Sequence, residues 1–189
     1  MADSSALGTV IPVVFGSSVI SVVVTQALTW LRDGRAISRE VAYLGLRLAS
    51  KFERFAEDAA GVVGDISDYR AKAREDVNTT LPEVPALPDE KERWRDLSVD
   101  LTARVLAFDE RRRSRQGSID ETWNYGDSDG AIETARVYAV ILGMDALRLS
   151  KDLRTTYKLP RFDTPSAWPT FLSSQFDDLP AAWKVEAEA

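Results

Sequence analysis

The hydrophobic pattern of the chain begins with a long uncharged run near the N-terminus. No charged side chain lies between Asp3 and Arg32, and residues 7–31 are mostly Val, Ile, Leu and small residues. A membrane-spanning helix needs about 20 predominantly apolar residues, so the run predicts a transmembrane anchor at residues 7–31. A cleaved secretory signal would need a basic segment before the run, where Asp3 stands instead. A buried core helix, the other alternative, is seldom uncharged over this length.

Basic residues follow the run and none precedes it. Arg32 and Arg35 open a series of five Lys and Arg residues that ends at Lys51. Because positive charge beside a span favours the cytoplasmic side, we expect the N-terminus outside and the remaining chain in the cytoplasm, attached to the inner (cytoplasmic) membrane. Trp30 suits the headgroup layer, so Trp30, Arg32 and Arg35 are predicted interface residues. This organisation is like that of small single-span bacterial proteins with a helical cytoplasmic domain.

Small hydroxyl residues recur every fourth position within the predicted span. Ser17, Ser21 and Thr25 form the central part of this stripe. Such stripes let two helices approach closely in lipid and hydrogen-bond across the contact, which predicts a homo-oligomer or a membrane-protein partner. The alternative is that each hydroxyl bonds only to a carbonyl of its own helix.

The rest of the chain predicts an all-α fold, a three-helix bundle over residues 32–160. Apolar residues at intervals of three and four indicate helices over 37–69, from 88–90 to 115, and over 129–157. Three prolines spaced by three residues indicate an extended linker at 71–89. A polar loop is expected at 116–130, with the acidic residues at 127 and 129 capping the third helix rather than binding calcium.

Residues 161–189 form a tail that is rich in proline and aromatic residues. Five large aromatic side chains occur in it, which a disordered tail would seldom contain. The rings are expected to pack across the bundle and complete its core. The alternative is a partner-binding segment with a short helix near 173–185.

An arginine cluster is predicted to end the second helix. It consists of Arg111, Arg112, Arg113 and Arg115. Arginines in a last turn stabilise the helix dipole. If the second helix runs antiparallel to the first, the same arginines approach the lipid headgroups and become membrane-interface residues.

Composition restricts the chemistry. The chain has 24 Lys and Arg against 30 Asp and Glu, which argues against a nucleic-acid partner. Histidine and cysteine are both absent, which removes the commonest general base, the thiol nucleophile and the usual zinc ligands. No catalytic motif is present, and no cofactor or metal is expected. The leading hypothesis is therefore a membrane-anchored interaction module or accessory subunit.

The rival hypothesis is a carboxylate–metal enzyme acting at the membrane surface. Its candidate residues are the acidic side chains of the first cytoplasmic helix: Glu53, Glu57, Asp58, Asp65 and Asp68. Acidic groups at such spacings also occur on ordinary solvated helices.

Overall fold

The computed structural model describes residues 14–72, 77–88, 94–164 and 166–188, with side chains from residue 39 to residue 185 outside the gaps. Five α-helices account for most of these residues, and none of them is in a strand. The helices are α1 (Val14–Lys72), α2 (Val99–Tyr125), α3 (Ser128–Thr156), α4 (Trp168–Asp177) and α5 (Ala181–Glu188). The all-α prediction is therefore confirmed. The chain divides into two compact units, 1–39 and 40–189, and the features below belong to the second.

The membrane prediction concerns a part of the chain whose side chains are not described. Among the residues that the structure describes, no helix combines the length and apolar character needed to cross a bilayer. The predicted span at 7–31, with Ser17, Ser21 and Thr25, lies outside the described side chains. So do the predicted interface residues Trp30, Arg32 and Arg35. These assignments stay predictions.

The core of the helical unit lies around α3. Every residue from Val137 to Gly143 is buried, because this helix is covered on several sides. The apolar face of α1 packs on one side, and α2, α4 and α5 contact α3 from others. Phe108 of α2 is fully buried between two rings of α1, with centroids 5.1 Å from Phe52 and 5.0 Å from Phe55, both edge-on. Edge-on ring pairs add specific geometry to the apolar burial that holds the helices together.

The second helix differs from its prediction at both ends. It begins at Val99, where the Ser98 side chain accepts a hydrogen bond from the Leu101 N–H and caps the helix. It continues ten residues beyond Arg115 to Tyr125, so the predicted polar loop at 116–130 is wrong. The predicted position of the arginine cluster in a last turn is wrong for the same reason.

The apolar face of α2 explains why the helix continues. Leu101, Val105 and Phe108 are buried, and the same spacing leads through two of the arginines to Ile119, which is 1% exposed. The arginines interrupt the apolar pattern without interrupting the helix. Asp127 then accepts a hydrogen bond from the Gly130 N–H and caps α3, as predicted.

The segment 77–88, between α1 and α2, is in neither a helix nor a strand. Leu81 is buried, and its N–H donates to the side-chain oxygen of Gln116 in α2. Lys51 of α1 donates through Nζ to the carbonyl oxygen of Ala86. The linker is therefore fastened to two helices along its length.

The C-terminal helices lie against α3. Leu172 of α4 and Leu179 after it are buried, and the Trp183 ring of α5 meets Tyr138 edge-on at 5.7 Å. Gly143 allows the close approach: a Cβ there would lie 2.7 Å from a methyl group of Leu172. The aromatic residues of this segment thus contribute to one continuous core.

Candidate functional site

A buried ion pair joins α1 to the C-terminal part of α3. The Arg154 guanidinium donates through Nε to Glu53 Oε1 at 2.6 Å and through Nη2 to Oε2 at 2.8 Å. The Ser150 hydroxyl, one helical turn before Arg154, donates to the same Oε1. The side chains of Glu53 and Arg154 are 7% and 12% exposed. The carboxylate is therefore held by a two-pronged charged hydrogen bond and a hydroxyl, with little of its surface exposed to solvent.

Arg154 also fixes the chain where it leaves α3. Its Nη1 donates to the carbonyl oxygen of Pro160, and its guanidinium lies 5.9 Å from the centre of the Phe162 ring. Between Arg154 and Pro160, Lys158 adopts a left-handed conformation with φ of 53°, and the Leu159 N–H donates a hydrogen bond to the Arg154 carbonyl oxygen. The hydrogen bond to Glu53 raises the pKa of Arg154 above its ordinary value, so the guanidinium stays charged.

An open cleft of about 700 Å³ lies beside this network, between the last turns of α3 and residues 158–162. That volume falls within the range of small-molecule binding sites, about 300–1,000 Å³. Its lining consists of four basic residues, three apolar residues and two hydroxyl residues. They are Lys151, Arg154, Lys158, Arg161, Leu147, Leu159, Phe162, Ser150 and Thr155. Phe162 also borders a smaller hollow on the α1 side, about 310 Å³, which contains Glu57 and Asp58.

The charge of the cleft is opposite to that of the chain. The chain carries a net charge of −6, yet no lining residue of the larger cleft is acidic. Arg154 is neutralised by Glu53, whereas Lys151, Lys158 and Arg161 form no ion pair with an acidic residue in the described part of the chain. A concave surface with one sign of charge concentrates ligands of the opposite sign. The cleft is thus a local positive region in an acidic protein.

The polar groups of the ion pair beside the cleft are already hydrogen-bonded to one another. A serine nucleophile needs a neighbouring base that can accept its proton. The carboxylate that accepts from Ser150 is already engaged by Arg154, so it offers no free basic site. Glu57, Asp58 and Asp65 of the rival metal hypothesis are exposed. Within the described ranges, no group of three or more residues is placed to hold a metal ion.

The arginine cluster predicted at a membrane interface forms contacts inside the helical unit. Arg111 lies 3.2 Å from Asp145, while Arg112 and Arg113 both pair with Asp109. The Arg115 guanidinium stacks 5.4 Å from the Tyr138 ring centre. Arg111 and Arg115 thus link α2 to α3, whereas the pairs of Arg112 and Arg113 lie within α2. Contact of the cluster with lipid stays a prediction.

Asp145 shows how strongly this region is desolvated. Burial raises the pKa of Asp145 above its ordinary value, although Arg111 and Arg148 lie 3.2 Å and 3.5 Å from its oxygens. Both arginines are more than two-fifths exposed, so water weakens their attraction for the carboxylate. The loss of hydration at Asp145 outweighs the pairing.

Sequence reasoning missed the cleft and its ion pair. The sequence indicates Glu53 only as a metal ligand and Phe162 only as one of the five aromatic residues of the tail, and it predicts no role for Ser150, Arg154 or Lys158. A signal was nevertheless present. Ser150 and Arg154 stand four residues apart on the most apolar helix, where polar side chains need a partner from another element.

Searches against protein-family models, curated proteins and solved structures find no match for this chain.

Proposed function

We propose that this protein is a membrane-tethered binding module whose helical unit holds a ligand in the cationic cleft. The observation that carries the proposal is the cleft itself: about 700 Å³, concave, partly apolar, and positively charged in an acidic chain. The Glu53–Arg154 pair supports the cleft by fixing residues 158–162 against α3. Its engaged carboxylate favours binding over catalysis.

The tether is the predicted span at 7–31, crossing the inner membrane once with the N-terminus outside and the helical unit in the cytoplasm. Ser17, Ser21 and Thr25 would pair this span with a second copy or with another membrane protein, which fits an accessory subunit. The uncharged run and the five basic residues after it support this part of the proposal.

The tether is tested by extraction and crosslinking. Alkaline carbonate should leave the protein in the membrane pellet, and external protease should spare the helical unit in intact cells. Crosslinking of the span should weaken in Ser21→Leu, which fills the contact surface, and persist in Val23→Leu on the opposite side of the helix. Release of the wild-type protein by carbonate would end the membrane assignment.

The cleft is tested by a ligand screen with a blocking variant. A ligand that binds only the folded state raises Tm, by an amount that grows with its concentration. Ligands of the cleft should stabilise the full-length chain and lose much of this effect in Thr155→Trp, whose larger side chain occupies part of the cleft. Thr156→Trp is the matched control, because Thr156 is exposed on the same turn and outside the lining. Stabilisation that survives undiminished in Thr155→Trp would place the ligand elsewhere.

The carboxylate–metal enzyme gains no specific support from the arrangement of Glu53, Glu57 and Asp58. Calorimetry with Mg²⁺ or Mn²⁺ is the direct test. Tight binding that disappears in Glu57→Gln with Asp58→Asn would favour it over the binding module.

A further inference from the structure

The cleft combines two kinds of lining that together define a class of ligand. Leu147, Leu159 and Phe162 offer apolar surface, and Phe162 is 38% exposed although it is a large aromatic residue. Lys151, Lys158 and Arg161 offer charge without an acidic partner in the described ranges. We infer that the cleft binds a free single-chain anionic amphiphile, a carboxylate or phosphate head on an alkyl chain. This inference rests on the proposed binding function and names its ligand.

The order of residues along α3 supports an elongated ligand with a head and a tail. The lining residues of α3 recur at intervals of three and four from Leu147 to Thr155, which places them on one side of the helix, and Lys158 follows beyond the helix end. At about 1.5 Å per residue, this side extends roughly 12 Å. Leu147 is at one end with Lys151 one turn later, and Lys158 and Arg161 lie beyond the other end beside the apolar Leu159 and Phe162. An alkyl chain along this side would place an anionic head near the end of α3.

The C-terminal end of α3 repels an anion, but the basic side chains of the cleft make the local charge positive. The last carbonyl groups of α3 carry the equivalent of about half a negative charge. Lys151, Lys158 and Arg161 bring three positive charges to the same cleft, and Arg154 is already balanced by Glu53. The positive charge therefore exceeds the dipole several-fold. A neutral or cationic amphiphile would gain the apolar contact alone.

The same balance excludes a polyanion such as nucleic acid as the preferred ligand. The chain as a whole has a net charge of −6. A long polyanion would extend beyond the cleft along a chain whose net charge is negative, whereas a screening length of about 8 Å confines the favourable region to the cleft. The smaller hollow beyond Phe162, with Glu57 and Asp58, forms an acidic boundary on that side. A ligand with one anionic head fits this distribution.

The test uses dodecanoate as the probe, below its micellar concentration, with the full-length chain in detergent-free buffer. Phosphatidylcholine nanodiscs are added if the chain needs a bilayer to stay dispersed. Isothermal titration calorimetry should give one site per chain. Dodecan-1-ol should bind at least about tenfold more weakly, because it lacks the charge, and inorganic phosphate should show no heat at the same concentrations.

Variants locate the site. Lys151→Gln with Arg161→Gln should weaken dodecanoate binding about tenfold or more, and Thr155→Trp should remove much of it. The matched control, Arg95→Gln with Arg113→Gln, also removes two exposed positive charges but lies outside the cleft, so binding should be unchanged. Unchanged melting curves show that each variant is folded. Equal weakening in both double variants would overturn the inference, since only the net charge would then matter.

Further outcomes separate the alternatives. Equal affinity for dodecan-1-ol would remove the role of charge, and equal affinity for inorganic phosphate would remove the role of the tail; either result overturns the inference. Nanodiscs of phosphatidylglycerol form the second arm: unchanged dodecanoate affinity supports a free ligand, and competition would assign the cleft to bilayer lipid instead. If dodecanoate fails but another compound stabilises the protein in a Thr155-dependent manner, the inference falls and the binding function stands. If no compound does so, both fall.

Discussion

Replacing one partner of the Glu53–Arg154 pair should lower the free energy of unfolding far more than replacing both partners together. Glu53→Leu leaves the guanidinium, 12% exposed, without its counter-charge, and Arg154→Leu leaves a carboxylate that is 7% exposed. Removing one partner of a buried pair costs about 3–5 kcal/mol. Replacing both partners by apolar residues of similar volume is often neutral or stabilising.

Ser150 and residues 158–162 limit how far the double variant recovers. In the double variant the Ser150 hydroxyl loses its acceptor on Glu53, although it can donate instead to the carbonyl oxygen four residues earlier in α3. The contact of Arg154 with Pro160 is lost as well. We therefore expect the double Leu variant to lose about 0–2 kcal/mol, less than either single variant. The resulting coupling energy would be at least about 4 kcal/mol, the sum of the two single losses minus the double loss.

The assay is urea unfolding of the full-length chain, followed by near-ultraviolet circular dichroism, with wild type, both single variants and the double variant. Arg104 and Asp152 provide the control cycle: their atoms also lie 2.8 Å apart, but the side chains are 39% and 46% exposed. Such exposed pairs couple by no more than about 1 kcal/mol. If the losses at Glu53 and Arg154 simply add, the reasoning about desolvation is refuted.

Three further predictions concern other parts of the helical unit. Phe108→Ala should lower the free energy of unfolding by about 3–5 kcal/mol, because a fully buried ring is removed. Leu106→Ala, at a site that is 56% exposed, should lower it by less than about 0.5 kcal/mol. Similar losses for the two variants in urea unfolding would contradict this prediction. Gly61→Ala should stabilise by about 0.5–1 kcal/mol, since nothing lies within 4 Å of its added Cβ, and an unchanged or lower Tm would count against it. Asp145→Asn and Glu133→Gln should shift the acid stability profile in opposite directions. Burial raises the pKa of Asp145, so its charged form lowers the free energy of unfolding as pH rises above the ordinary carboxyl pKa. The stability of the wild type relative to Asp145→Asn should therefore increase as pH falls. Partial burial opposes the charge of Glu133, but hydrogen bonds from Arg136 and Arg70 lower its pKa below the ordinary value. The charged carboxylate therefore stabilises the fold above the ordinary pKa, and this stabilisation is lost on acidification. The stability of the wild type relative to Glu133→Gln should fall as pH falls. Parallel profiles for the two variants would refute this assignment.

The sequence predicted α3 within one residue at each end because several independent signals coincide there. Its apolar positions follow the helical period closely, and Asp127 supplies a cap at one end. The limits of α2 were not predictable by the same reasoning. The arginine run and Gly117 resemble a helix end, while the signals that decide the limits are single residues: Ser98 at the start and Ile119 near the end.

The cleft was less accessible to sequence reasoning than the helices were. Its lining comes from one side of α3 and from the irregular segment after it, and the position of that segment depends on Arg154. Arg154 in turn depends on Glu53, which is 101 residues away in the chain. Periodicity identifies which face of a helix is buried, but it does not identify which distant residue a buried charge meets.

The short connection between α2 and α3 has a consequence for how the protein folds. Only Gly126 and Asp127 separate the two helices, so this helical hairpin can form through contacts close in sequence. Loop closure over so few residues takes well under a microsecond, whereas contacts with α1 must close loops that range from 53 residues between Phe55 and Phe108 to 101 residues between Glu53 and Arg154. The α2–α3 hairpin is therefore expected to form in the folding transition state, with α1 docking afterwards. Substitutions in α1 should then chiefly accelerate unfolding, while those in the hairpin should slow folding.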